Sequence, residues 1–91
     1  MIVLTKESWQ DALRTIGFSE EIPLLAMHLG EIEEEMENVL DLLAVLRSDT
    51  QRADTEHAQE TAVSLTITLE HLLHHMQTFL PPLQKQLDIE P

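Results

Sequence analysis

Two long runs of apolar residues, spaced alternately three and four apart, constrain this chain more than anything else in it. The first falls at Ile22, Leu25, Leu29, Ile32, Met36, Val39, Leu43 and Leu46. The second falls at Ala58, Ala62, Leu65, Leu69, Leu72, Met76, Phe79 and Leu83. Steps of three and four keep successive side chains on one side of an α-helix, because about 3.6 residues complete a turn. Held over this length, the pattern is that of a helix packed against another along its whole seam. The expected fold is all-α: a short N-terminal helix, then a long antiparallel helical hairpin that dimerises into a four-helix bundle. The 91 residues suit a single helical domain.

Punctuation residues place the helix ends. Thr5 is a good N-cap for a first helix over about 6–16, with Glu7 in its first turn and Gly17 as its stop. Trp9, Ala12, Leu13 and Ile16 give that helix one apolar stripe, and Phe18 is placed to fold back onto its last turn. Ser19 reads as the cap of a second helix over about 20–47, with Glu20 and Glu21 at its positive end and Pro23 in its first turn. Gly30 is its weak point, worse than Ala by roughly 1 kcal/mol. Ser48-Asp49-Thr50 reads as a tight connection ending in a cap, and a third helix follows over about 51–80. Pro81-Pro82 should stop it near Leu80, leaving Leu83 to Pro91 as a short turn of helix or a tail.

One segment argues against this scheme. Val63-Ser64-Leu65-Thr66-Ile67-Thr68-Leu69 alternates apolar and polar and is rich in β-branched residues, as a strand would be. No Gly, Pro, Asn or Asp punctuates the chain between Thr55 and Phe79, and a lone strand has nothing to pair with. The segment is therefore read as helix, which puts Val63 and Ile67 on a second apolar face.

Composition narrows the function classes. Only Trp9, Phe18 and Phe79 are aromatic, so the core is aliphatic, as helix-on-helix packing prefers. The absence of cysteine removes disulfides, thiolate metal sites and cysteine catalysis, and is compatible with a reducing cytoplasm. Met1-Ile2-Val3-Leu4-Thr5 lacks the basic region of a signal peptide, and no apolar stretch is long enough to span a membrane. The formal charge of −12, from 17 acidic residues against five Lys plus Arg, argues against direct nucleic-acid or anionic-membrane binding. It suits solubility, a basic protein partner, or imitation of DNA charge.

The hairpin needs company. Each long helix is roughly 40 Å long at about 1.5 Å per residue, and the first helix, at roughly 18 Å, covers only one end. The other end carries Val39-Leu40-Asp41-Leu42-Leu43-Ala44-Val45-Leu46, apolar nearly all round, opposite the polar stretch from Gln51 to Ala62. Exposed apolar surface of that kind usually marks an interface. Val39, Leu40, Leu42, Leu43, Val45 and Leu46, with Val63 and Ile67, are the expected contact residues. The simplest closure is a two-fold homodimer.

Candidate chemistry is sparse. Glu70-His71-Leu72-Leu73-His74-His75 puts His71 and His75 four apart on one helix face, a spacing that can hold a divalent metal. Folding the hairpin about Asp49 brings His28 and Glu31 to a similar height, so His28, Glu31, His71 and His75 form the candidate metal set. In the heptad frame these histidines fall at flanking and outer positions. A ferritin-like di-metal bundle would use Glu-x-x-His pairs, and the nearest match is Asp54-x-x-His57. Glu34, Glu37 and Asp41 could hold Mg²⁺, but no Lys or Arg lies between Glu20 and Leu46 to receive phosphate. No serine elbow or glycine-rich phosphate loop is present, and His74 has no neighbours suited to phosphorelay. The expectation is a non-catalytic, cytoplasmic interaction or regulatory module, without cofactor, that pairs with itself and with another protein. A metal-binding bundle and an acidic DNA mimic are the alternatives.

Overall fold

The computed structural model describes residues 6–89, and within them the chain is all helical: α1 (Lys6–Ile16), α2 (Ile22–Gln51) and α3 (Thr55–Leu87), with no strand. α2 and α3 form an antiparallel hairpin and α1 folds back onto α2. None of these helices is long and apolar enough to cross a membrane. The strand-like segment 63–69 lies within α3. There Thr66 and Thr68 donate their hydroxyls to the carbonyls of Ala62 and Ser64, 2.9 and 3.0 Å away, so each hydroxyl is satisfied inside the helix.

All three helices end alike. Phe18 N–H donates to Leu13 and Gly17 N–H to Arg14, at 3.0 and 3.1 Å. The same pair of bonds links Asp54 to Asp49 and Ala53 to Thr50, and again Ile89 to Gln84 and Asp88 to Lys85. This double closure needs one residue in the left-handed region. Gly17, Ala53 and Asp88 supply it, with φ of 117°, 55° and 56°. Only the first is a glycine, which is why only the first was legible. A Cβ on Gly17 would also stand 2.8 Å from the Gln86 amide nitrogen, which donates to the Gly17 carbonyl.

Several expected boundaries move. Ser19 is not the cap of α2: that helix starts at Ile22, after Glu21 in a left-handed conformation with φ 55° and no side-chain cap. The later start leaves residues 17–21 to reverse the chain, so that Phe18, Leu25 and Ala26 close over Leu13. Ser48-Asp49-Thr50 is not the connection but the last turn of α2, where the Asp49 side chain reaches the buried Thr61 of α3. Asp54, not Thr50, caps α3, accepting from His57 N–H at 3.1 Å. Pro81-Pro82 does not end α3, which continues to Leu87. Leu83 packs against the core and Gln86 bonds Gly17, so tertiary contacts beyond the prolines hold the helix despite two missing N–H donors. The expected cap Thr5 and the residues before it lie outside the described residues.

The core sits at the α1 end of the hairpin. Leu13, Phe18, Leu25, Ala26 and Phe79 are buried together, ringed by Trp9, Ile22, Leu29, Ile32 and Leu83. Leu13 is fully buried at its centre. The Trp9 indole N–H is buried without an acceptor among the described residues.

The hairpin seam is rotated from the expected one. Withdrawn from solvent on α3 are Ala58, Thr61, Leu65, Thr68, Leu72, His75, Phe79 and Pro82. On α2 the facing line is Leu25, His28, Ile32, Glu35, Val39, Leu42, Leu46 and Asp49. Every second residue of the expected seams is retained. Of the alternate ones, Met36, Leu43, Ala62, Leu69 and Met76 are displaced into solvent, while Ile22, Leu29 and Leu83 stay packed against the core. The vacated places are taken by Leu42 and by polar residues, of which Asp49 pairs with Thr61 and His28 with His75 across the seam.

Candidate functional site

At the turn end, the seam closes on Asp49, which is fully buried. Arg52 Nη2 and His57 Nδ1 each lie 2.7 Å from its Oδ1, and the Thr61 hydroxyl lies 2.9 Å from Oδ2. Thr61 Oγ1 is also 3.0 Å from the His57 carbonyl, but its one proton goes to the charged acceptor, the stronger bond. Burial opposes the carboxylate's charge. Hydrogen bonds from His57 and Thr61, with the charges of His57 and Arg52, outweigh that and hold Asp49 below the usual carboxylate range. The arrangement ties the end of α2 to the first turns of α3, and all three donors are spent on it. Sequence reading missed this cluster because Asp49 sits among turn-forming residues; the spacing Asp49, Arg52, His57, Thr61 is its only trace.

Nearer the core, His28 and His75 face each other with Nδ1 atoms 3.0 Å apart and ring centroids 5.2 Å apart. One nitrogen must carry a proton and the other must not, so the pair works as one donor and one acceptor. His74 stacks edge-on against His75 at 5.4 Å. His28 is held below the ordinary histidine range by burial first, then by His75 and His74, with Glu31 acting the other way. Of the four expected ligands, the fold thus brings His28 and His75 into the seam, not to outer positions, because the seam is rotated toward them. Glu31 is half-buried on the flank and His71 is exposed. Among the described residues, no group of three or more His, Asp or Glu is arranged to hold a metal ion.

The expected interface residues divide over three faces. Val39, Leu42 and Leu46 are half-buried in the seam. Val45, Val63 and Ile67 are exposed, on flanking or outer faces of their helices. Leu40 and Leu43 are exposed beside the seam, with Met36. In an antiparallel pair the flank next to the seam falls on the same side for both helices. Leu29 and Leu83 mark that side, since both pack against the cluster that holds Leu13 of α1. Met36, Leu40 and Leu43 of α2 therefore share it with Leu69, Leu73, Met76 and Leu80 of α3, each 43–61% exposed. α1 covers its start, over Ile22, Ala26 and Leu29, and leaves the rest open. The opposite flank carries Glu31, Asn38, His71 and Thr78, with Leu24 and Val45 exposed among them. Compared with protein-family models, curated proteins and solved structures, the chain matches none of them.

Proposed function

We propose that this protein is a small, acidic, non-catalytic interaction module of the cytoplasm that works as a homodimeric helical bundle. The observation carrying this reading is the continuous apolar face of Met36, Leu40, Leu43, Leu69, Leu73, Met76 and Leu80, open to solvent in a single chain. Contiguous apolar surface of this kind costs solubility unless something covers it. A second hairpin laid on it completes a four-helix layer, with the acidic outer faces left free for a further protein partner. The seam supports the same reading: Asp49 and Thr61, and His28 and His75, spend themselves on one another and hold the hairpin together.

Native mass spectrometry on protein purified without chelator tests this. A metal-free dimer is the expected result, and Leu43→Glu should return it to monomer by burying an unpaired charge. A monomer at all concentrations, or an unchanged dimer in Leu43→Glu, would overturn the reading. Metal binding has one specific observation in its favour, the converging Nδ1 atoms of His28 and His75. Stoichiometric metal in the same spectrum, lost in His75→Ala, would put that second reading first.

A further inference from the structure

We propose that the two copies pair antiparallel about a two-fold axis that passes beside Leu40 and Leu69, with α1 fixing the register. This rests on the dimer reading above and adds its geometry.

The apolar flank is self-complementary about those two residues. On α2, Glu33 and Arg47 lie seven residues either side of Leu40, on its side of the helix. Turning one helix over about Leu40 sets each Glu33 against the Arg47 of the other copy. Among the described residues neither has an ion-pair partner in its own chain. On α3, Ala62 and Met76 lie seven either side of Leu69, so a small residue meets a large one. Met36 and Leu43 flank Leu40 by four and three, and Leu73 and Thr66 flank Leu69 likewise.

The two centres stand at nearly one height. Asp49 bonds Thr61, and His28 meets His75. Interpolating between those two rungs sets Leu40 level with residue 67, about 3 Å along the axis from Leu69 at about 1.5 Å per residue. One axis can therefore serve both helices.

α1 excludes the alternative. It lies on the same flank over Ile22, Ala26 and Leu29, with Trp9 Cδ1 4.0 Å from where a Cβ on Gly30 would stand. Packed helices stand roughly 8–10 Å apart, so α1 already fills the layer a partner hairpin would enter at that end. Parallel copies in full overlap would drive each α1 into the other hairpin. The antiparallel pairing instead brings only the partner's turn end, level with Leu29 and Gly30, against α1. The overlap runs roughly 27 Å along two helices together roughly 20 Å wide. That is roughly 500 Å² of projected face before side-chain corrugation, of the order of the ~800 Å² per partner of a standard interface.

The chain has no cysteine, so single-cysteine cross-linking reads the geometry directly. Leu40→Cys, Leu69→Cys and Met76→Cys would each be checked for dimer mass by native mass spectrometry, then oxidised or treated with a short bismaleimide. Leu40→Cys and Leu69→Cys should convert largely to covalent dimer, since each residue faces its own copy. Met76→Cys should not, its copy lying roughly 21 Å away along the axis. Mixing Ala62→Cys with Met76→Cys should give the heterodimer. Self-linking of Met76→Cys as readily as Leu40→Cys, or a dimer in which neither Leu40→Cys nor Leu69→Cys links, would overturn this geometry while the dimer stands. A monomeric mass for all variants and the parent would instead defeat the dimer reading itself.

Discussion

Replacing Leu40 by serine separates a residue that merely sits on a helix surface from one that closes an interface. Leu40 has 61% of its surface exposed in the single chain. Full burial of a leucine side chain contributes about 1.5–3 kcal/mol, so the exposed share is about 0.9–1.8 kcal/mol per copy. A two-fold dimer loses it twice, about 1.8–3.7 kcal/mol, which at about 1.4 kcal/mol per decade weakens dimerisation roughly 20- to 400-fold. Within one chain the same change costs the difference in helix propensity, about 0.5 kcal/mol, plus about 0.6–1.2 kcal/mol for the share of Leu40 already withdrawn from solvent. Sedimentation equilibrium over a concentration series gives the dissociation constant, and far-UV circular dichroism at a concentration favouring monomer checks the fold. A dissociation constant for Leu40→Ser within two-fold of the parent would refute the argument, because Leu40 would then lie outside any interface.

Three further outcomes follow from the seam and the turn. His28 titrates below its ordinary value near 6.5, so its neutral form is favoured by folding. Stability should be full above about that pH and decline as pH falls through the folded value, because the unfolded chain then binds the extra proton. Urea midpoints across that range should show the decline, and His28→Gln should flatten it. Asp49 is also held below its ordinary value near 3.8, but as an acid. Its contribution is present above that pH and is lost on further acidification, so the melting-temperature gap between parent and Asp49→Asn should be wide at neutral pH and narrow in strong acid. Ala53→Gly should stabilise the chain by about 0.5–1 kcal/mol, since Ala in the left-handed region costs about 1–2 and glycine's unfolded-state entropy returns part of that. For a domain this size that is roughly 2–8 °C in Tm by calorimetry.

The sequence carried the helices and the hairpin, because Leu, Ile and Val at steps of three and four leave little else for these segments to be. Gly17 and Phe18 marked the end of α1 because the closure there uses the residue types that favour it. Other features were hidden for physical reasons. The apolar residues of α2 and α3 cover more of each helix than one seam can use. Spacing alone could not say whether Leu43 or Leu42 faces inward, nor Leu69 or Thr68. The choice is made by polar residues that satisfy one another only across the folded seam, Asp49 with Thr61 and His28 with His75. For the same reason His28 and His75 read as outer residues, and Ser48-Asp49-Thr50 as a turn. Pro81-Pro82 misled because contacts of Leu83 and Gln86, far away in sequence, outweigh the lost backbone bonds.

The central claim is that the open apolar flank of one hairpin is covered by a second copy. Small-angle X-ray scattering from a dilution series reports mass and shape together. The expected particle has twice the 10.4 kDa chain mass and is thicker than the 51 × 29 × 17 Å single chain across its shortest dimension. A particle of 10.4 kDa with a radius of gyration near 16.6 Å at every concentration would contradict it.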